Sequence, residues 1–330
     1  MNYLITGGAG YIGSCVSQFL IDKGHQVIVL DNLSTGLKKN LPKKCKFHKV
    51  DIRNKKKVKK ILKNNEIDVV MHFAAFINNE ESVLNPKKYF DNNFLNGKIF
   101  LSLCLERGIN KIIYSSTAAV YGNKSKKVSE QDTLKPMSPY PVSKLKLEKY
   151  LEKNKKKISC VILRYFNVAG SDKKLRCGFN INKGYNLILN LCRAIFKNKK
   201  FKINGQNYNT KDGTTIRDFI HVRDLAEIHY KVSKLVLNKR VFFKLNCGYG
   251  YGFSVLEILK KFAKISKKKI NYQFTERRKG DIVISIANPS KIKKIINWKP
   301  KHQSLNKLVK SSLDWYKKTS KINKHKDYLN

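Results

Sequence analysis

Gly7, Gly10 and Gly13 in the run TGGAGYIG follow an apolar strand-like stretch and open a helical one. Missing side chains allow a tight turn and a close approach to a pyrophosphate, and a helix N-terminus adds N–H groups and partial positive charge. The spacing is G-x-x-G-x-x-G rather than G-x-G-x-x-G, and a plain strand-to-helix turn could carry the same glycines. Asp31, close to 20 residues further on at the end of the next strand-like run, adds to the dinucleotide reading. A carboxylate there can accept both ribose hydroxyl protons and repels a 2′-phosphate, which favours NAD over NADP. Asp51 and Ile52 follow the third apolar run, where a carboxylate reaches an adenine amino group or caps a helix.

A second constellation could do redox-coupled proton chemistry. SPYPVSK sets Tyr140 and Lys144 at i and i+4, on one helical face about one turn apart. A free phenol ionises near pH 10, about three units too high for a base at neutral pH. A nearby ammonium and a positive nicotinamide ring would both favour phenolate, which could then take a hydroxyl proton while hydride leaves the same carbon. Thr117, in YSSTAAVYG, offers a hydroxyl to relay that proton or hold a sugar oxygen; a Ser/Thr cluster serving only the backbone at a strand end would look alike. The order of glycine loop, acidic residue, hydroxyl and Tyr/Lys pair favours catalysis.

Apolar runs at 3–6, 26–30, 46–50, 69–73, 111–115 and 159–164 alternate with helical patterns at 13–23, 58–64, 86–107 and 140–155. That alternation predicts an α/β fold with a Rossmann-type doubly wound parallel sheet of six strands over residues 1–164. Beyond residue 164, shorter strands, a glycine-containing loop (NCGYGYGFS) and helices near 186–197, 222–237 and 254–265 predict a smaller interleaved α/β substrate lobe, with elements around 214–247 returning to the sheet. The polar, basic segment from about Lys317 reads as a fraying, flexible tail.

With 330 residues and 42% hydrophobic content, the chain can bury a sizeable core. Its net charge of +46 raises nucleic acid or anionic membrane as partners. The lysines are scattered, as in 55–57, 155–157, 197–200 and 267–269, so a compositional bias over ordinary exposed faces accounts for them better than specific nucleic-acid binding. The seven cysteines are widely spaced with no CxxC pair, which suggests neither a disulfide framework nor a metal site. No signal peptide or apolar run of membrane-spanning length is visible, and the cytoplasm is the default expectation.

From residue 2 to about 315 the chain resembles the extended short-chain dehydrogenase/reductases, and within them the nucleotide-sugar 4-epimerases. The segments that carry the resemblance are TGGAGYIGS, DNLSTG, HFAAF with ESV and DNN, SSTAAVYG, SPYPVSK, LRYFNVAG, DGTTIRDFIHVRDL and RRKGD. It implies that Tyr140 is the base, that Lys144 binds the nicotinamide ribose and lowers the phenol pKa, and that Thr117 mediates proton transfer. Tightly bound NAD would contact Tyr11, Ile12, Asn32, Phe73, Ala74, Ala75, Asn92, Ser115 and Tyr165 besides the residues above. A UDP-sugar would be held by Asn167, Asn186, Leu187, Arg217, Arg278 and Asp281, with its hexose beside Thr117 and Tyr140; guanidinium groups suit a diphosphate on independent grounds. The implied reaction interconverts UDP-galactose and UDP-glucose through a 4-keto sugar. The implied assembly is a homodimer built on 86–107 and 140–155.

Dehydratases and decarboxylases of this family place acids after the Ser/Thr cluster, where this chain has Ala118 and Ala119, so elimination lacks its proton-transfer groups. Asn204 stands where an aromatic or apolar residue often lies against uracil, Ile77 replaces a residue basic in some members, and Pro141 replaces Gly or Ala. Ser285 is small where a bulky residue tends to exclude N-acetylated sugars, so N-acetylhexosamines could enter. Other readings are an epimerase or dehydratase acting on another nucleotide sugar and a dinucleotide-sensing regulator without turnover.

Overall fold

A computed structural model describes residues 1–326 except 125, 183, 185, 279 and 280, with side chains described as far as Lys321. The chain begins with β1 (Asn2–Thr6), α1 (Tyr11–Asp22), β2 (Gln26–Asp31), β3 (Lys46–Lys49), α2 (Lys55–Lys63) and β4 (Val69–His72). α3 (Asn79–Leu84), α4 (Pro86–Tyr89), a π-helical stretch at Phe90–Asn96 and α5 (Gly97–Glu106) follow, then β5 (Lys111–Thr117), α6 (Pro139–Lys153) and β6 (Ser159–Tyr165). The remainder comprises β7 (Asn167–Ala169), α7 (Leu187–Lys197), β8 (Phe201–Asn204), β9 (Ile216–Arg217), β10 (Phe219–His221), α8 (Val222–Asn238) and β11 (Phe242–Cys247). It ends with β12 (Phe253–Ser254), α9 (Val255–Ser266), β13 (Tyr272–Thr275), β14 (Ile284–Ser285), α10 (Ser290–Ile296) and α11 (Leu305–Lys326).

The main sheet has seven parallel strands in the order β11-β6-β5-β4-β1-β2-β3. Its order reverses between β1 and β4, which opens a crevice at the strand C-termini where open α/β sheets bind ligands. Because side chains alternate across a strand, Tyr3 and Ile5 pack with Val16, Leu20, Ile228 and Val232 on one face, while Leu4 packs with Val58, Ile61, Phe100 and Leu147 on the other. α2 shows how a lysine-rich segment still folds: the Asn54 side chain caps it at Lys57 N (3.0 Å), and Val58, Ile61 and Leu62 form its buried stripe while the lysines face water.

The second lobe is made of short sheets, β10-β7, β12-β9-β14 and β13-β8, and of a separate core in which Leu189, Phe262, Leu313 and Trp315 meet. α9 opens with a capping box between Ser254 and Glu257.

The six strands expected over residues 1–164 are present, and the elements expected to return from 214–247 supply a seventh: β11 pairs with β6 from Phe242↔Cys160 to Cys247↔Tyr165. Two expectations need correction. The stretch 86–107 is not one regular helix, because the π-helical turns reset its phase in mid-run. The segment from Lys317 continues α11 to Lys326, with Thr319 buried and its hydroxyl bonded to Trp315 O (2.8 Å); polarity hid a packed stripe. Residues 327–330 lie outside the described residues.

Candidate active site

The glycines form a backbone cradle at the crevice. Gly7 sits at φ +69°, and a Cβ there would lie 2.7 Å from Ala74 N; one on Gly13 would lie 2.4 Å from Gly7 O. β1, the loop and α1 can therefore touch only without side chains. No side chain caps the N-terminus of α1, so its first-turn N–H groups, those of Tyr11 and Ile12 among them, meet the front of β1 as an anion site would. Asp31 ends β2, buried, its two oxygens accepting from Ala9 N (2.9 Å) and Leu33 N (2.7 Å) with lone pairs to spare. Burial raises its pKa, and the two backbone N–H groups oppose that. These features fit a dinucleotide.

Asp51, after β3, is already engaged. Arg53 grips it through Nε (2.9 Å) and Nη2 (2.8 Å), and Asn32 Nδ2 donates to it at 2.7 Å, which together hold its pKa down to about 2. Ile52 is buried beside it.

α6 carries the candidate base. Pro139 and Pro141 occupy its first turn, where a missing N–H costs nothing, and Ser138 precedes it. Tyr140 hydrogen-bonds Thr117 at the end of β5, and Thr117 Oγ1 also accepts from Ala119 N (3.2 Å). Lys144 is buried one turn on, its Nζ 4.6 Å from the centre of the Tyr114 ring. The acidic phenol expected from the sequence is not a property of these residues by themselves. Burial pushes Tyr140 up to about 12 against the opposing bond from Thr117, and drops Lys144 to about 7 against the opposing pull of Glu148. Desolvation outweighs the Thr117 hydrogen bond, and a positive charge entering the site would favour the phenolate.

Several supporting residues escaped the sequence reading. Glu148, one turn beyond Lys144, forms a fully buried ion pair with Arg164 (Nε 3.1 Å, Nη2 2.6 Å) and accepts from Ser116; Arg164 Nη1 also donates to Tyr121 Oη (2.9 Å). The i+4 spacing from Lys144 was the available signal. The π-helical stretch turns Asn93 inward, where it accepts from Phe76 N (2.8 Å) and donates to Phe76 O (2.9 Å) and Ser143 Oγ (3.1 Å). Asn92, the neighbour singled out from the sequence, reaches this cluster through a 3.0 Å bond to Asn93. Asn93 thus ties the loop after β4, with Phe73, Ala74 and Ala75, to the catalytic helix. Tyr165 lies behind, its hydroxyl 2.6 Å from His229 Nε2 and bonded to Ser115, with Phe73 packed on the His229 ring at 5.0 Å.

In the second lobe, Arg217 and Asp281 pair at 2.9 Å, and Arg217 Nη1 donates to Ile216 O (3.0 Å) and Val283 O (3.2 Å). Ser285 is in register with Arg217 and half-buried beside it. Arg278 is half-exposed and reaches Glu80 of α3 (3.1 Å), so the two sides of the cleft are bridged. Asn167 begins β7, next to β10. Asn186 caps α7 at Leu189 N (2.8 Å), with Leu187 the first helical residue; among the described residues their hydrogen bonds stay within the helix start. Ile77 is 72% exposed. Of the run RRKGD, Lys279 and Gly280 lie outside the described residues.

Comparison with known proteins decides the lineage. A family model described as the NAD dependent epimerase/dehydratase family matches residues 3–248. The chain belongs to that family. It is 38% identical over 316 residues to the UDP-glucose 4-epimerase of Azospirillum brasilense, covering 94% of this chain and 91% of that protein. Among solved structures, the UDP-glucose 4-epimerase of Bifidobacterium longum in complex with NAD+ and UDP superposes with a TM-score of 0.91 at 32% identity, over 97% of this chain and 99% of that one. The UDP-Glc/GlcNAc 4-epimerase of Campylobacter jejuni is 38% identical with a TM-score of 0.82, over 96% and 99%. Family membership gives the chain its cofactor class, a nicotinamide dinucleotide. Among the described residues no helix is long and apolar enough to cross a membrane.

Proposed function

We infer that this chain interconverts UDP-galactose and UDP-glucose by UDP-glucose 4-epimerase chemistry, with NAD+ bound between the glycine cradle and α6. The observation that supports the reading most is the hydrogen bond of Tyr140 to Thr117 at the C-terminal end of β5, with Lys144 buried one turn on against Tyr114 and with Ala118 and Ala119 in place of the acids an elimination would need. Bound NAD+ supplies the hydride acceptor and, on return, the hydride donor for carbon 4 of the sugar, and its positive ring adds the charge that Tyr140 lacks. Tyr140 takes the hydroxyl proton directly or through Thr117, and Lys144 holds the nicotinamide ribose. Arg217 and Arg278 grip the diphosphate, while looser contacts leave the 4-keto hexose free to rotate about its phosphate linkage and present its other face. Tyr140 then returns the proton, so configuration inverts with no net redox change.

The site roles named from the sequence belong to this proposal, as does its division of labour: the seven-stranded lobe for the dinucleotide, the lobe of short sheets for the UDP-sugar. A homodimer through 86–107 and α6 is the proposed assembly, and Leu95, 46% exposed on that surface, is suited to such a contact. The seven free thiols suit a reducing compartment such as the cytoplasm. Purified protein supplied with UDP-galactose should form UDP-glucose by NMR without added reductant. No conversion by protein that still binds NAD would overturn the proposal. Ser285 beside Arg217 supports a second activity on UDP-N-acetylhexosamines, which Ser285→Tyr should abolish while sparing UDP-galactose.

A further inference from the structure

The guanidinium of Arg278 has a partner that the reaction scheme does not use. Asn204 ends β8 opposite Thr275 in the paired strand β13. Turned so that its amide nitrogen donates to Thr275 Oγ1 (2.9 Å), Asn204 presents its oxygen to Arg278 Nε (2.7 Å) and Nη2 (2.9 Å). The reverse orientation would set an NH2 group against a guanidinium, donor against donor, so the network fixes the amide. The neighbouring Arg277 is occupied elsewhere: it stacks on Tyr208, 4.4 Å from the ring centre, and donates to Asn207 Oδ1 (2.7 Å).

A guanidinium has five N–H donors arranged in two forks. The side fork, Nε with Nη2, is the one that Asn204 takes. Among the described residues the end fork, Nη1 with the second hydrogen of Nη2, has no partner, and it is the geometry that two phosphate oxygens match. The Glu80 carboxylate lies 3.1 Å from Arg278 Nε, across the cleft and with both side chains largely in water. It competes with the entering anion for the same positive charge.

We propose that Asn204 is a positioning residue that holds the side fork of Arg278 and thereby turns its end fork toward the diphosphate, while Glu80 is a counter-ion that the diphosphate displaces. An amide at this position, where related chains often carry an aromatic residue, thus serves the phosphates rather than the base. The inference rests on the reading that Arg278 grips the diphosphate.

Calorimetric titration of free UDP into wild type, Arg278→Ala, Asn204→Ala and the double variant tests it without turnover. Arg278→Ala should weaken UDP roughly tenfold or more, the scale of a charge-assisted hydrogen bond. Asn204→Ala should weaken it by roughly half that factor on a logarithmic scale, and should add nothing in the Arg278→Ala background. Asn204→Asp, which keeps the accepting oxygen, should bind UDP at least as well as Asn204→Ala does; Glu80→Gln should tighten UDP. In steady state the Asn204→Ala loss should fall on KM rather than kcat. Equal weakening by Asn204→Ala with and without Arg278 would overturn the inference in favour of a direct nucleobase contact, and no weakening in either background would overturn it outright. If Arg278→Ala leaves UDP binding unchanged, the diphosphate reading itself fails and the inference falls with it.

Discussion

Gly13 and Arg217 represent two ways of placing a functional group. Around the proposed dinucleotide site, position comes from the backbone: Gly13 packs where a Cβ would sit 2.4 Å from Gly7 O, and the turn from Gly7 to Gly10 carries only the methyl of Ala9. In the lobe of short sheets, position comes from side-chain bonds: Arg217 is steadied by Asp281 and two carbonyls, and Arg278 by Asn204 and Glu80. A backbone cradle is rigid and suits a ligand that stays. Charged side chains with exchangeable partners suit one that must enter and leave on each cycle. Between them lies α6, whose Tyr140 and Lys144 are tuned by burial and await a further charge.

The comparison can be broken at several points. Lys144→Met removes the buried ammonium between the halves and should lower kcat by about 10² to 10⁴, measured by NMR conversion of UDP-galactose, with UDP affinity unchanged. Arg217→Ala should weaken UDP by roughly 30-fold or more, since it also leaves Asp281 and two carbonyls without their donor; NAD retained on purification should not change. Gly13→Ala should do the reverse, with NAD retention reduced and stability lowered by about 1–3 kcal/mol as backbone at Gly7 is pushed aside, while the sugar lobe binds UDP as before. If Gly13→Ala impaired UDP as much as NAD, the two halves would not be separately built.

The smallest effect is on stability against pH. Burial lowers His72 and His221 to about 3 and His229 to about 4, well under the unfolded value of about 6.5. The unfolded chain therefore binds more protons between those limits, and stability falls as pH drops from about 6.5 toward 4. Asp218, raised to about 6 by burial, and Asp31, raised by burial as well, work the other way, two groups against five rings, since burial also lowers His25 and His48. Denaturant melts should have lower midpoints at pH 5 than at pH 7.5; equal midpoints would show that these rings are not buried neutral.

Legibility in the sequence follows the same divide. The glycine loop, Asp31 and the strand-helix alternation were readable because backbone constraints leave fixed residue types at fixed spacings. The helical face joining Tyr140 to Lys144 was readable for the same reason, whereas the acidity of the phenol was not: spacing shows which charges are near but not how much water is removed. Asn93 went unread because regular helical periodicity does not anticipate which residue a π-helical turn points inward. Glu148 with Arg164, Tyr165 with His229, and Asn204 with Arg278 join residues 16, 64 and 74 positions apart, which no local pattern connects. The end of α11 was obscured because its packed stripe is set among lysines.

The most direct test of the account is conversion of UDP-galactose by Tyr140→Phe, with NAD content and UDP affinity measured on the same preparation. The account predicts both ligands bound as in wild type and a rate lower by about 10² to 10⁴. A rate equal to wild type with both ligands bound would contradict it.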